Sequence, residues 1–282
     1  MALYLHRFES WSAALATQGV HLTGEVGLVT QRLPTSILPR EVQVPGLTLT
    51  AQMVPASEVG GDYYDVIPCK DGCWLGVGDV AGHGLSAGLV MLMVQSAFAA
   101  LVRTMPDATP RQLVIALNRL VYENVRNRLQ ADEHVTFTAF RYFSDGRMLF
   151  AGAHEPLVVL RQASGRPELV ETPGTWLGVV PDISKATTDS QLQLARGDVV
   201  VLYSDGVIES TNAEGGQLGM DRLLQEVACG AVGSSASVEH SPAVTRSTTE
   251  IHHHLMDIVR NWSKEPEDDV TLLVLRHQGL EG

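Results

Sequence analysis

Four acidic positions fall beside glycine or at the ends of apolar, strand-like runs: Asp62 after Gly60-Gly61, Asp79 after Gly78, Asp205 before Gly206, and the pair Asp268-Asp269. The runs Tyr63–Ile67 and Trp74–Val77 flank Asp71-Gly72, a strong hairpin turn. With that turn as its centre, the hairpin is expected to place Asp79 opposite Tyr64 and Asp62 one rung beyond, both at its open end. Asp205 follows the run Val199–Tyr203, and Asp268-Asp269 precedes Val270–Leu275. Antiparallel pairing of those two strands would bring their acids to one sheet edge. Carboxylates that converge without basic partners repel strongly unless hard cations sit between them. Oxygen ligands without an obligatory His or Cys favour Mg²⁺ or Mn²⁺ over zinc. Two such ions about 3.5–4 Å apart can activate a bridging water and neutralise a phosphate. Taken singly, each acid beside glycine reads as a turn former; the metal reading rests on their convergence.

The elements that must position these acids alternate between strands and paired helices. Leu47–Met53 alternates as a strand, and a helix is expected from about Ser86 to Arg103. A second helix opens at Thr109-Pro110, with Gln112 completing a capping box and Leu113, Leu117, Leu120, Val121 and Val125 on one face; it is expected to reach about Leu129. Strands return at Val135–Tyr142, Arg147–Ala151, Pro156–Arg161, Gln191–Leu194 and Val199–Tyr203. A short helix near Asp221–Cys229 precedes a Gly-, Ser- and Ala-rich stretch, 230–242, read as a loop. A last helix carries Ile251, Leu255, Ile258, Val259 and Trp262 before the closing strand Val270–Leu275. Hairpin-linked strands with two helical pairs predict an α+β fold, a mainly antiparallel β-sandwich flanked by helices on both sides. Ahead of it, residues 1–35 read as a helical and extended segment, with Tyr4, Phe8, Trp11 and Leu15 at helical spacing; a homodimer contact through this segment is one expectation.

Composition narrows the alternatives. The chain has 282 residues and a formal net charge of −12, which gives it no electrostatic attraction to nucleic acid or anionic lipid. At 45% hydrophobic residues, it carries enough apolar material for a substantial core. The longest apolar run, around Ala87–Val94, stops at Gln95-Ser96, short of the roughly 18–20 residues a membrane helix needs. His6, Arg7 and Glu9 interrupt the N-terminus, so it is not read as a signal peptide. Cys69, Cys73 and Cys229 cannot all pair, and no second Cys or His pair follows at zinc-finger spacing. Free thiols in a reducing cytoplasm are expected, with neither a membrane nor a nucleic-acid partner.

At the acidic positions the sequence resembles a known family. Glu58-Val-Gly-Gly-Asp-Tyr-Tyr-Asp65, Gly78-Asp-Val-Ala-Gly-His-Gly84, Tyr203-Ser-Asp-Gly-Val-Ile-Glu-Ser210 and Asp268-Asp-Val-Thr-Leu-Leu-Val-Leu275 together resemble the SpoIIE/RsbU-type serine phosphatases. These are the bacterial branch of the PPM (type 2C) metal-dependent phosphatases. The likeness runs from about Ser36-Ile-Leu-Pro39 to Arg276, so residues 36–278 are expected to form the phosphatase domain. Val135-Thr-Phe-Thr, Ala151-Gly-Ala-His-Glu-Pro156, Leu177-Gly-Val and Gly197-Asp-Val-Val-Val-Leu-Tyr fit as well.

The resemblance implies a two-metal site, holding Mn²⁺ or Mg²⁺, at one end of the α-β-β-α sandwich. Asp79 would bridge both ions and, with Asp62, carry catalysis. Asp62 and the backbone carbonyl of Val80 would serve one ion, and Asp205 and Asp268 the other. Asp269 is the reserve for Asp268. The implied substrate is phosphoserine or phosphothreonine on a STAS-domain anti-sigma-factor antagonist, hydrolysed by a metal-activated water. Asp79 is followed by Val80-Ala81-Gly82 before His83, where the eukaryotic branch reads Asp-Gly-His-Gly, so a general-acid role does not transfer to His83. No counterpart of a phosphate-clamping Arg is evident. Gly88 stands where the family more often has Ala, which loosens the helix by about 1 kcal/mol.

Other residues carry weaker expectations. Glu58 is a candidate for support behind Asp62, and His154-Glu155 reads as a turn. His252-His253-His254 lies in a helix, where consecutive side chains diverge, so a solvated face is expected. Gly60-Gly61-Asp62-Tyr63-Tyr64 has some likeness to the diguanylate cyclase signature, but Tyr63 stands where the second acid belongs. The other alternative is a catalytically weak, phosphoprotein-binding partner-switching module. All the metal positions are filled, which favours activity.

Overall fold

The computed structural model describes residues 42–56, 60–82, 84–232, 244–263 and 267–279. The expected N-terminal helix, Glu58, His83 and most of the stretch 230–242 lie outside these residues.

One sheet collects β1 (Leu47–Val54), β6 (Leu157–Leu160), β7 (Pro167–Val170), β9 (Val199–Tyr203) and β10 (Val270–His277), in the order β1-β10-β9-β6-β7. The other holds β2 (Tyr63–Cys69), β3 (Gly72–Val80), β4 (Val135–Phe143), β5 (Arg147–Ala153) and β8 (Ser190–Gln193), in the order β2-β3-β4-β5-β8. Every pairing in both sheets is antiparallel. Between the sheets lies a dry layer that includes Tyr64, Val66, Leu75, Val77, Phe140, Phe150, Val200, Leu202, Leu273 and Leu275. Alternate residues of the same strands point the other way. Tyr63, Ile67, Trp74 and Phe137 meet α1 (Leu85–Thr104) and α2 (Pro110–Tyr122). Val199, Val201, Leu272 and Val274 meet α4 (Gly219–Ala231) and α5 (Thr248–Trp262). The period-2 alternation of side chains thus feeds three cores and produces the expected four-layer α-β-β-α sandwich.

The helix starts follow their sequence signals. Thr109 and Gln112 form the capping box of α2, with Pro110 in the first turn. Beyond Tyr122 the helix continues as a π-helical stretch, Glu123–Leu129, ending at Gln130 in the left-handed region with φ 54°.

Two expectations need correction. α1 spans 20 residues and contains an 18-residue window with a mean hydropathy of 2.0, so by length and composition it is long and apolar enough to cross a membrane. Gln95 and Ser96 interrupt the apolar run but not the helix, which continues to Thr104 much as expected, because helix geometry turns both away from the face that carries Val90, Met91, Val94 and Phe98 into the core. The triple histidine is not uniformly solvated. His252 is buried, His253 is exposed, and His254 Nε2 lies 2.9 Å from the Glu226 carboxylate.

Candidate active site

Asp62 sits immediately before β2, and Asp79 is the penultimate residue of β3. Tyr63 pairs with Gly78, and the Val80 N–H donates to the Gly61 carbonyl at 3.2 Å, so Asp62 falls directly opposite Asp79. The sequence expectation had Tyr64 there. The register differs because Cys69 pairs with Gly72, leaving Lys70-Asp71 as the two-residue turn. Gly72 is used for another purpose: it has φ +151°, and a side chain there would strike the Tyr142 carbonyl of β4. The corrected register brings the two carboxylates closer than the sequence reading did.

The other sheet supplies the opposite half. β9 and β10 are antiparallel neighbours, with Tyr203 paired to Leu272, so their acids share one edge as expected. Asp205 opens a single helical turn, α3 (Asp205–Ile208). Ser204 locks the two strand ends together. Its N–H donates to the Thr271 carbonyl at 3.1 Å, and its hydroxyl donates to the Asp269 carbonyl at 3.2 Å. That hydroxyl also accepts from the Thr271 N–H at 2.9 Å.

Thr271 joins the sheets. Its hydroxyl donates to Asp62 Oδ2 at 2.6 Å, fixing a carboxylate that is only 1% exposed. Asp269 makes a second tie. It is buried, and its oxygens accept the backbone N–H groups of Ala56 (2.8 Å) and Asp62 (3.3 Å). Asp268 is exposed, with Oδ1 accepting only the N–H of Asp269 among the described bonds. Gly61 keeps the space between the halves open. A Cβ there would lie 2.8 Å from the Val80 carbonyl oxygen and 2.9 Å from Asp79 Oδ1, so these two oxygens face the same small volume.

The electrostatics are those of crowded like charges. Burial, then Asp205, Asp268 and Asp269, raise the Asp79 pKa to about 8. Asp62 is pushed well up by burial and by Asp79, against the Thr271 hydrogen bond that lowers it. Asp205 is raised by burial, Asp268 and Glu209. Among the described residues, no lysine or arginine is a main influence holding any of these three carboxylates charged. The acids are near enough to repel one another but do not close into a tight cage: among the described residues no three His, Cys, Asp or Glu side chains form a ready metal cluster. The donor set of carboxylates and one backbone carbonyl suits hard divalent cations, which would offset the repulsion that raises these pKa values.

Several residues around the site escaped the sequence reading. Thr271 and Ser204 read as ordinary strand and turn residues. Glu155 extends the acidic rim, its pKa raised by burial and by Asp205, Glu209 and Glu171. His154 is no simple turn residue: its ring contacts both Thr136 of β4 and the end of β9. Thr271 and Ser204 carried a signal through their place inside the acidic motifs, and His154 and Glu155 through the family-like segment Ala151–Pro156.

Comparison with known proteins places the family and the fold. The family model for stage II sporulation protein E (SpoIIE) matches residues 70–278. The phosphoserine phosphatase RsbU of Bacillus subtilis (strain 168) is 28% identical over 254 residues, covering 89% of this chain and 68% of its own length. The structure of the RsbU and RsbW domains of a Mycobacterium tuberculosis protein superposes with TM-score 0.66 at 23% identity, covering 87% of this chain. The match spans 63% of that longer chain, less than two thirds of its length. RsbX in complex with magnesium shares the fold at TM-score 0.55 and 11% identity, covering 84% of this chain and 97% of that one.

Proposed function

The chain belongs to the SpoIIE family of PPM-type serine/threonine phosphatases, and from that premise we propose that it removes phosphate from phosphoserine or phosphothreonine on a regulatory protein, using two divalent cations, Mn²⁺ or Mg²⁺. The observation that carries this reading is the facing pair Asp62 and Asp79, set against Asp205 and Asp268, with no lysine or arginine among the described residues that lowers the pKa of Asp62, Asp79 or Asp205. When bound, the cations supply an activated water and neutralise the phosphate oxygens.

The chain's own residues do the rest. Asp79 stands between the halves and would hold both cations. Asp62 and the Val80 carbonyl would hold one, with Thr271 fixing the Asp62 carboxylate. Asp205 and Asp268 would hold the other. Asp268 fits that task better than Asp269, whose oxygens are occupied by backbone donors of the loop before β2. Gly61 leaves the Asp79 carboxylate and the Val80 carbonyl accessible from one side. None of the three cysteines belongs to this cluster of acids, which supports direct attack by water without a phosphoenzyme.

The substrate we propose is a phosphorylated STAS-domain protein, by analogy with the partner-switching role the family resemblance implies. A homodimer through the segment before residue 36 is part of the same reading and rests on residues outside those described. The test uses a ³²P-phosphoserine STAS protein, Mn²⁺ and acid quenching during turnover. Free phosphate released only with Mn²⁺, with no label on the enzyme, is the expected result. Label trapped on the enzyme, or full activity in EDTA, would contradict the mechanism.

A further inference from the structure

His154 lies in the link between β5 and β6, where the chain leaves one sheet for the other. Its backbone is held on both sides by Thr172: the His154 N–H donates to Thr172 Oγ1 at 3.1 Å, and the Thr172 hydroxyl donates back to the His154 carbonyl. The ring is therefore presented in a fixed orientation. Nε2 is 3.1 Å from the Tyr203 carbonyl oxygen at the end of β9, and Nδ1 is 2.9 Å from Thr136 Oγ1 on β4. Thr136 is the cross-strand partner of Asp79, and its hydroxyl oxygen accepts the Asp79 N–H at 3.2 Å.

The chemistry of these groups gives the chain of bonds one direction. A carbonyl oxygen can only accept, so Nε2 carries the ring proton and donates to Tyr203. In a neutral imidazole Nδ1 is then bare and accepts the Thr136 hydroxyl proton at 2.9 Å, a shorter bond than the 3.4 Å alternative from that hydroxyl to the Asp79 carbonyl. Packing around the ring desolvates it and pulls its pKa down to about 4, so it is neutral at ordinary pH. The sequence of donors is Asp79 N–H to Thr136 Oγ, Thr136 O–H to His154 Nδ1, and His154 Nε2–H to the Tyr203 carbonyl, with every hydrogen used once. It begins at Asp79 in one sheet and ends two residues before Asp205 in the other. The tie from Thr271 to Asp62 is a separate chain of bonds that reaches the same peptide from its other side, since the Thr271 carbonyl accepts the Ser204 N–H.

We propose that His154 is a positioning residue that, through Thr136, holds the Asp79 and Asp205 strand ends at the separation needed to bind cations across the two sheets. This rests on the metal reading above. Residues that orient ligands from behind typically change metal affinity by about 10- to 100-fold when removed.

The test compares wild type, Thr136→Val, His154→Ala and His154→Gln, using the full chain. Mn²⁺ dissociation constants come from isothermal titration calorimetry, and kcat and KM from p-nitrophenyl phosphate hydrolysis at saturating Mn²⁺. Thr136→Val and His154→Ala are each expected to weaken Mn²⁺ binding by about 10- to 100-fold. KM should stay within about twofold, because the bonded chain touches no substrate group. His154→Gln should recover most of the affinity, since its amide oxygen and N–H can stand in for Nδ1 and Nε2–H. The double variant Thr136→Val with His154→Ala should be no weaker than either single one, since both break the same chain of bonds.

Unchanged Mn²⁺ affinity in folded Thr136→Val and His154→Ala, with lowered melting temperatures alone, would reduce His154 to a structural residue and overturn the inference. Should His154→Ala fail to fold, the nearly isosteric Thr136→Val decides the matter. A wild type that binds no Mn²⁺ would instead overturn the metal reading itself, a result separable from equal binding by wild type and variants.

Discussion

Asp79→Asn is expected to abolish phosphatase activity at any Mn²⁺ concentration while leaving the metal-free protein at least as stable as wild type. The loss of activity follows from position: among the described residues Asp79 is the carboxylate acted on by Asp205, Asp268 and Asp269 together, and it faces Asp62 across the hairpin. An amide cannot supply the charge that holds two cations. The stability result follows from the same crowding. The Asp79 carboxyl titrates near 8 in the fold, above its ordinary value of 3.8, chiefly because burial disfavours its charged form. A raised carboxyl pKa contributes stability that is fully present below the unfolded value and is lost as pH rises through the folded one. Metal-free wild type should therefore lose melting temperature between about pH 4 and pH 8. Asp79→Asn should lose less over that window. Thermal melts in EDTA across the range check this. A variant less stable than wild type at pH 8 would mean that Asp79 holds the fold rather than the site.

Gly61→Ala is expected to damage the site almost as severely through a single methyl group. Its Cβ would stand 2.8 Å from the Val80 carbonyl oxygen and 2.9 Å from Asp79 Oδ1, closer than real Cβ contacts come. The Val80 oxygen is backbone and can move only if the end of β3 moves with it. Displacements of this kind, of the order of 1 Å, cost about 100-fold in rate, and that is the loss expected in kcat/KM. Gly216→Ala is the control, because its Cβ would meet only Asn212 side-chain atoms at 3.4–3.7 Å. Activity measured on both at saturating Mn²⁺ separates them. Equal activity of Gly61→Ala and wild type would show that the Asp79–Val80 corner is not where cations bind.

Much of this organisation was legible in the sequence, and the exceptions have physical causes. The strands were readable because each alternates between two cores, and α2 because its capping box and apolar stripe are both local signals. The acids that lie together were readable from motif order and from the antiparallel pairing of β9 with β10. The hairpin register was not, because Gly72 looks like a turn glycine but answers to the close approach of β4, a contact some 70 residues away. α3 is a single turn and β7 a four-residue edge strand, both too short to establish a period. The roles of His154 and Thr271 were hidden for a deeper reason. Each ties one sheet to the other, His154 with the help of Thr136, and strand-local patterns carry no information about which sheet packs on which.

The most direct test of the central claim is isothermal titration of the metal-free chain with Mn²⁺, with Asp79→Asn alongside. Wild type should bind two Mn²⁺ per chain, and activity toward a phosphoserine protein should rise in step with occupancy. Asp79→Asn should lose both binding events together, since one carboxylate serves both cations. Two-ion binding retained in Asp79→Asn, or activity in wild type before any Mn²⁺ is bound, would contradict the account.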